Sequence, residues 1–367
     1  MTFTVADHAH MARALRLAAR GLYTTHPNPR VGCVIVRDGQ IVGEGWHVRA
    51  GGPHAEVQAL NEAGAGARGA TVYVTLEPCC HHGRTPPCTE ALIGAGVARV
   101  VAASRDPNPR VAGQGFARLE AAGIRVENGL LQREAHALNA GFLMRMVRGR
   151  PWVRIKLAMS LDGRTALASG ESKWITSEEA RRDAHRLRAR SSAIMTGIAT
   201  VLEDDPALNV RLEPAPDAWR QPVRVVLDTQ LRMPPAARML QQPGETWILT
   251  AADDAAKRAI LERAGARVER LPAEAGRVSL RAALERLAEL EINELTVEAG
   301  ATLSGALLEQ DLVDEIVIYM APHLLGDKGR GLFELPELAD MTRRVALRIE
   351  DIRAIGPDWR ITAYVAR

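Results

Sequence analysis

The sequence predicts two successive α/β domains, the first a three-layer α/β/α sandwich. Three observations predict it. The chain has 367 residues, more than one hydrophobic core ordinarily organises. Apolar runs of strand type alternate with stretches of helical spacing along its whole length. Arg148-Gly149-Arg150-Pro151 interrupts the alternation with charge, glycine and proline just past a helical stretch. The domains expected are therefore 1–147 and 151–367.

Met11, Leu15 and Leu17 recur at helical spacing and place a helix over about Asp7–Leu22. Val31–Val36 is a short buried-strand run, and Asp38-Gly39 turns the chain back into Ile41–Trp46 as a hairpin. A helix over His54–Ala65 puts Val57 and Leu60 inward, and β-branched and aromatic Thr71–Thr75 reads as a strand. A helix over Pro86–Ala95, a strand over Arg99–Ala102 and helices over Gly115–Ala122 and Leu131–Val147 complete the first domain. In the second, strands are expected at 152–159, 193–197, 223–228, 246–250, 294–298, 313–320, 344–350 and 360–366. Helices are expected at 177–190, 254–265, 279–290 and 301–310. The Pro-rich, charged stretch Asp204–Gln221 reads as a surface loop near a site.

Composition narrows the function classes. Hydrophobic residues make up 47% and charged residues 25%, the balance of a globular protein. The net charge of +3 and the 4% aromatic content give no basis for a nucleic-acid groove. No run reaches the roughly 18 apolar residues of a membrane span, and the Arg-bearing N-terminus has no signal-peptide core. Cys33, Cys79, Cys80 and Cys88 do not make a disulfide framework; three of them lie within ten residues, beside histidines, where metal is the expectation. The setting expected is cytoplasmic.

The metal pattern is Pro53-His54-Ala55-Glu56 followed by Glu77-Pro78-Cys79 and Pro86-Pro87-Cys88. One imidazole and two thiolates leave a fourth tetrahedral position open, as in a catalytic zinc site that activates water. Glu56, two residues after the histidine, is placed to move protons. The pattern is that of a zinc deaminase. A structural zinc with His81 or His82 as fourth ligand is the competing reading, and Cys80 competes with Cys79 for the metal. Cys33, inside an apolar strand, reads as core.

These blocks, with His26-Pro27-Asn28-Pro29, Gly45-Trp46-His47 and His81-His82-Gly83-Arg84-Thr85, resemble the bifunctional deaminase/reductase family of riboflavin biosynthesis. The spacing from Cys79 to Cys88 exceeds the Cys-x-x-Cys of general nucleoside deaminases and is similar to that family's longer insert. The resemblance implies a cytidine-deaminase-like first domain with Zn2+ on His54, Cys79 and Cys88, Glu56 as proton carrier, and Asn28 and His47 on the pyrimidine.

It continues to the end of the chain through Lys156–Arg164, Ser169–Thr176, Thr200–Arg211 and Val297–Gly305. A dihydrofolate-reductase-like second domain using NADPH is implied. Cofactor contacts would come from Ala158, Trp174, Thr200, Asp204 and Thr229, and from Gly300, Ala301, Thr302, Leu303, Ser304, Gly305 and Ala306. On residues alone, a strand ending at Glu298 and a helix starting near Thr302 offer amides to a phosphate, or simply form a strand–helix turn. Substrate contacts are implied for Ser172, Arg188, Leu208, Arg211 and Glu298. Lys156 and Asp204 are the ionisable groups expected to orient or protonate an opened ribose. Arg188 and Arg211 suit a phosphate through their guanidinium forks.

The reaction implied is deamination of 2,5-diamino-6-(5-phosphoribosylamino)pyrimidin-4-one, then reduction of the ribosyl group to ribityl. The partner expected is this phosphorylated pyrimidine, with no nucleic acid and no membrane. Exposed sheet edges in the second domain admit a homodimer or higher homo-oligomer. A nucleic-acid or nucleoside deaminase and a non-enzymatic zinc protein are the rival readings.

Overall fold

In a computed structural model of the chain, residues 3–81, 86–109, 111–212, 219–337 and 339–366 are described. They divide into two compact units, Met1–Gly149 with Pro216–Trp219, and Arg150–Ala215 with Arg220–Arg367.

The first unit opens with α1 (Val5–Ala19), started by a capping box between Thr4 and Asp7. β1 (Gly32–Arg37) and β2 (Gln40–Trp46) form the Asp38-Gly39 hairpin. Then come α2 (Ala55–Ala63), β3 (Thr71–Val74), α3 (Cys88–Ala95), β4 (Arg99–Ala102), α4 (Gln114–Ala121), β5 (Arg125–Asn128), α5 (Gln132–Leu138) and α6 (Ala140–Arg148). The sheet order is β2-β1-β3-β4-β5, antiparallel at β2, β1 and β3 and parallel from β3 to β5.

Alternate residues feed two cores. Cys33, Ile35, Val72, Val74 and Val100 pack on one face with Ala55 and Ala59 of α2, Leu92 of α3 and Leu119 of α4. Val34, Val36, Tyr73 and Val101 pack on the other with Met11, Ala14 and Leu17 of α1 and Ala135 of α5. The three layers follow from that alternation. Gly43 and Gly45 of β2 let α2 lie directly on the sheet: a Cβ at Gly43 would stand 2.2 Å from the Ala59 carbonyl oxygen, and one at Gly45 2.3 Å from that of Ala55.

Two features of this unit differ from expectation. β5 was not expected, and the expected single helix over Leu131–Val147 is broken at Asn139. There the Asn139 side chain accepts from the Arg30 amide at 2.8 Å and donates to the Arg30 carbonyl at 2.9 Å. A side chain bonded to distant backbone competes with helix continuation.

The second unit comprises β6 (Trp152–Ser160), α7 (Glu178–Arg190), β7 (Ala193–Gly197), α8 (Ile198–Asp204), β8 (Val223–Leu227), β9 (Thr246–Thr250), α9 (Ala255–Arg263), β10 (Ala266–Arg270), β11 (Ala273–Glu274), β12 (Arg277–Val278), α10 (Leu280–Glu289), β13 (Glu294–Val297), α11 (Ala301–Glu309), β14 (Glu315–Ala321), β15 (Leu347–Ile355) and β16 (Asp358–Val365). Its nine-stranded sheet runs β10-β9-β8-β7-β13-β6-β14-β16-β15. Strands β10 through β14 of that order are parallel, and β16 and β15 close the edge antiparallel.

α10 and α11 cover one face through Leu284, Leu287 and Leu307, α8 and α9 the other through Val201 and Leu261, and α7 packs on Val317 and Tyr319. Asp204 ends helix α8 rather than opening a loop, and β10 was not expected. Residues 213–218 of the expected Asp204–Gln221 loop lie outside the described residues, as do 82–85 of the first-domain insert. No described helix is long and apolar enough to cross a membrane.

Candidate functional site

His54 is the N-cap residue of α2 and makes no side-chain cap bond, so its imidazole is directed elsewhere. Its Nδ1 lies 3.2 Å from Cys88 Sγ and 3.5 Å from Cys79 Sγ. Cys88 is the first residue of α3, and its backbone N–H donates to Cys79 Sγ at 3.3 Å. The ligand atoms of all three lie within 4.8 Å of one another. Bonds of about 2.0–2.3 Å would set neighbouring donors of a tetrahedral zinc site roughly 3.5 Å apart, so this donor set fits zinc. Among the described residues, Cys80 is not in the group. Its carbonyl instead accepts from Arg118 Nη1 at 3.4 Å.

Glu56 stands in the first turn of α2 and is buried. Burial pushes its carboxyl above the usual range, and the Cys79 thiolate adds to that. The Cys88 hydrogen bond draws the Cys79 thiol well below its ordinary range, against burial, and His54 assists. Cys33 belongs to the core beneath.

His47 packs edge-on against His54, ring centroids 5.4 Å apart. Its Nδ1 lies 3.1 Å from the Pro53 carbonyl and its Nε2 3.0 Å from Asn28 Nδ2. The carbonyl can only accept, so Nδ1 carries the proton and Nε2 accepts from Asn28. Burial holds this imidazole below its ordinary pKa. Asn28, His47, His54 and Glu56 thus come together in one place.

Glu77, directly before Pro78-Cys79, has a role that the motif does not reveal. Its buried carboxylate accepts from four backbone amides: Asp106 and Gly113 through Oε2 at 3.2 and 3.0 Å, Gly115 and Phe116 through Oε1 at 3.0 and 3.3 Å. It ties the Pro78-Cys79 loop to the start of α4. Spacing could not reveal it, because its partners lie about thirty or more positions downstream.

In the second unit, Arg188 in the last turn of α7 grips Glu298 through Nε at 2.5 Å and Nη2 at 2.8 Å. Lys156 of β6 places Nζ 4.0 Å from Glu298 Oε2. Burial would raise the Glu298 carboxyl, but Arg188 and Lys156 hold it down at about 2. Burial lowers Lys156, with Glu298 opposing. Arg188 is therefore a paired, mostly buried side chain and not a solvated helix-face charge. Its Nη1 donates to the Asn209 carbonyl at 3.0 Å, and Arg211 Nη1 donates to Asn209 Oδ1 at 2.7 Å. Leu208 is buried just before them with φ 42°. His185 joins the group unanticipated, accepting the Arg211 amide on Nδ1 at 3.3 Å. The sign was present in the sequence: His185 precedes Arg188 by one helical turn.

The remaining residues spread along the same unit. Ala158 pairs with Tyr319 across β6 and β14. Trp174 is exposed beneath the Arg181 guanidinium at 4.7 Å, and Ser172 is exposed nearby. Thr200 and Asp204 lie on α8, half-buried and exposed. Thr229 follows β8 and accepts from Thr250 Oγ1 at 3.2 Å. Gly300 caps α11 without a side chain, and first-turn amides have no partner within a helix, which suits a cofactor phosphate. Of that block, Gly300 and Thr302 are exposed, Ala301, Leu303 and Ala306 half-buried, and Ser304 and Gly305 buried.

Both units resemble known proteins. Residues 4–104 match the cytidine and deoxycytidylate deaminase zinc-binding region, and 151–361 match the RibD C-terminal domain. The riboflavin biosynthesis protein RibD of Escherichia coli is 54% identical over 96% of this chain and 97% of its own. That of Haemophilus influenzae is 48% identical over 99% and 98%. The structure of Acinetobacter baumannii RibD is similar at TM-score 0.92 and 45% identity, covering 99% of both chains. A Thermotoga maritima diaminohydroxyphosphoribosylaminopyrimidine deaminase/5-amino-6-(5-phosphoribosylamino)uracil reductase is similar at 0.86 and 33%, over 98% of this chain and 99% of its own.

Proposed function

The chain belongs to the RibD family, enzymes of riboflavin biosynthesis that join a zinc-dependent deaminase to an NADPH-dependent reductase, and from that premise we propose how its residues divide the work. The observation that carries the reading is the convergence of His54, Cys79 and Cys88, with Glu56 buried one turn into the same helix.

Bound zinc supplies the Lewis acidity that makes water a nucleophile at neutral pH. Glu56 is placed to carry two protons in turn, the first from the attacking water to the pyrimidine ring nitrogen and the second from the added hydroxyl to the departing amine, which leaves as ammonia. A carboxyl raised by burial holds such a proton readily. Asn28 and His47 orient the ring beside the ligands. The substrate is 2,5-diamino-6-(5-phosphoribosylamino)pyrimidin-4-one, and the product keeps its ribose phosphate.

NADPH, when bound, supplies the hydride. Glu298 aligns Lys156 and Arg188. Ser172, Arg188 and Arg211 receive the phosphate, and Leu208 borders it. Lys156 and Asp204 orient or protonate the ribose oxygen as the ring opens. Ala158, Trp174, Thr200, Asp204, Thr229 and the 300–306 segment hold the cofactor. The product is 5-amino-6-(5-phosphoribitylamino)uracil. None of the four cysteines is in a disulfide, which suits a cytoplasmic setting.

We also assign a homodimer. Leu347, Ile349, Ile352 and Ala354 of the edge strand β15 stand opposite Val365, Ala363, Ile361 and Trp359 of β16. One face of this hairpin is apolar throughout, yet Ile349, Ile352, Leu347 and Trp359 are 57%, 51%, 45% and 45% exposed. An apolar, open strand edge calls for a partner, and a second copy is self-complementary across a two-fold axis.

The test incubates zinc-loaded protein with the diaminopyrimidine phosphate. Ammonia should appear without NADPH, and nicotinamide absorbance should fall once NADPH is added. No ammonia from a zinc-replete sample overturns the deaminase assignment.

A further inference from the structure

The loop that carries Leu208 and Arg211 has no regular structure to hold it. Leu208 itself sits at φ 42°, a left-handed conformation that a branched side chain adopts only when its surroundings impose it. Two groups on α7 reach this loop. Arg188 Nη1 donates to the Asn209 carbonyl at 3.0 Å, and His185 Nδ1 accepts the Arg211 amide at 3.3 Å. The two α7 side chains, three residues apart on one helix face, thus grip consecutive stretches of the same loop.

We propose that His185 is a positioning residue of the reductase half: its imidazole fastens the 208–211 loop to α7, so that Arg211 is held beside Arg188 to receive the substrate's phosphate. The inference rests on the assignment of Arg188 and Arg211 to that phosphate.

The chemistry of the surroundings explains why a histidine serves. A nitrogen that accepts an amide N–H cannot also carry a proton, so the hydrogen bond from Arg211 requires the neutral ring with its proton on Nε2. Burial, then the charges of Arg188 and Arg211, lower this imidazole to about 4. A lysine in its place would add a cation to a group already containing Lys156, Arg188 and Arg211 with Glu298 as counter-charge. A neutral ring offers the acceptor without that repulsion and leaves the positive field for an anionic ligand. Because the ring is neutral, it does not serve as the proton donor of the reduction. Its effect is on binding.

The test uses the full-length zinc enzyme and two variants. His185→Leu fills similar space with no acceptor, whereas His185→Gln retains an amide oxygen able to accept the Arg211 N–H. Losing one hydrogen bond of this kind corresponds to roughly a tenfold change. His185→Leu should therefore raise KM for the phosphorylated ribosylaminouracil about tenfold. Its kcat, its KM for NADPH and its deamination rate should stay within about twofold of the parent. His185→Gln should recover most of the loss. An unchanged KM in His185→Leu overturns the proposal, as does a fall in kcat at constant KM, or a Gln variant as impaired as the Leu variant.

Binding of ribose 5-phosphate, measured by calorimetry, separates this inference from the reading beneath it. If the parent protein reduces nothing yet binds ribose 5-phosphate, weaker binding by His185→Leu that is restored in His185→Gln sustains the positioning role while the reductase assignment fails. Equal binding by all three proteins overturns it.

Discussion

The guanidinium of Arg188 and the carboxylate of Glu298 form a two-point ion pair, 2.5 and 2.8 Å, between a helix end and a strand end of the second unit. Both side chains are mostly buried, at 18% and 12% exposure. Removing one partner of such a pair leaves a desolvated charge and costs on the order of 3 kcal/mol. Glu298→Gln should lower stability in that range and abolish reduction, with deamination unaffected; denaturant unfolding and the two assays check this.

The same pair sets a pH dependence. Glu298 is held at about 2 in the folded chain against an ordinary 4.5. A depressed carboxyl stabilises the fold above its unfolded pKa and gives that up as pH falls through its folded one. Stability should decline between about pH 5 and 2, and Glu298→Gln should flatten part of that decline. An identical slope in parent and variant would count against the assignment.

At the zinc site, Cys79→Ser, Cys88→Ser and His54→Ala should each lose zinc and cut deamination by at least about a hundredfold. Cys80→Ser should keep both. Metal analysis of the purified variants gives the answer, and a Cys80→Ser protein without zinc would reassign the ligand.

Glu77 offers a separate handle. Glu77→Gln replaces one acceptor oxygen with an NH2 group facing backbone N–H groups. It should cost about 1–3 kcal/mol and weaken zinc retention in a chelator competition, though Glu77 lies outside the three-ligand group. Zinc retention equal to the parent would show that the loop holds without it.

The exposed hairpin predicts oligomer state. Ile352→Lys or Trp359→Glu should convert a dimer to a monomer in light scattering, with the deaminase still active. A parent protein that is already monomeric removes the dimer assignment.

Much of this architecture is written locally. Asp38-Gly39 announces its hairpin, and the strand runs at Val31–Val36 and Thr71–Thr75 declare themselves by composition. The spacing of His54, Cys79 and Cys88 suggested a shared metal, and the structure gathers them. What stayed hidden depends on distant partners. β5 carries Arg125, Glu127 and Asn128 around one valine, and becomes a strand because β4 offers it a ladder. The break at Asn139 requires Arg30, over a hundred positions away. β10 alternates small and charged residues at a sheet edge, where no strong apolar run is demanded. The roles of Glu77 and His185 likewise come from backbone amides that no motif records.

Gly45 of β2 lies directly under the start of α2. Its missing Cβ lets the Ala55 carbonyl, one residue from both His54 and Glu56, rest against β2. Any side chain there would act as a shim under the helix, lifting His54 and Glu56 together away from Cys79 and Cys88. Mutational tolerance in this enzyme should therefore run opposite to chemical reactivity at that point: the residue with no functional group is among the least replaceable.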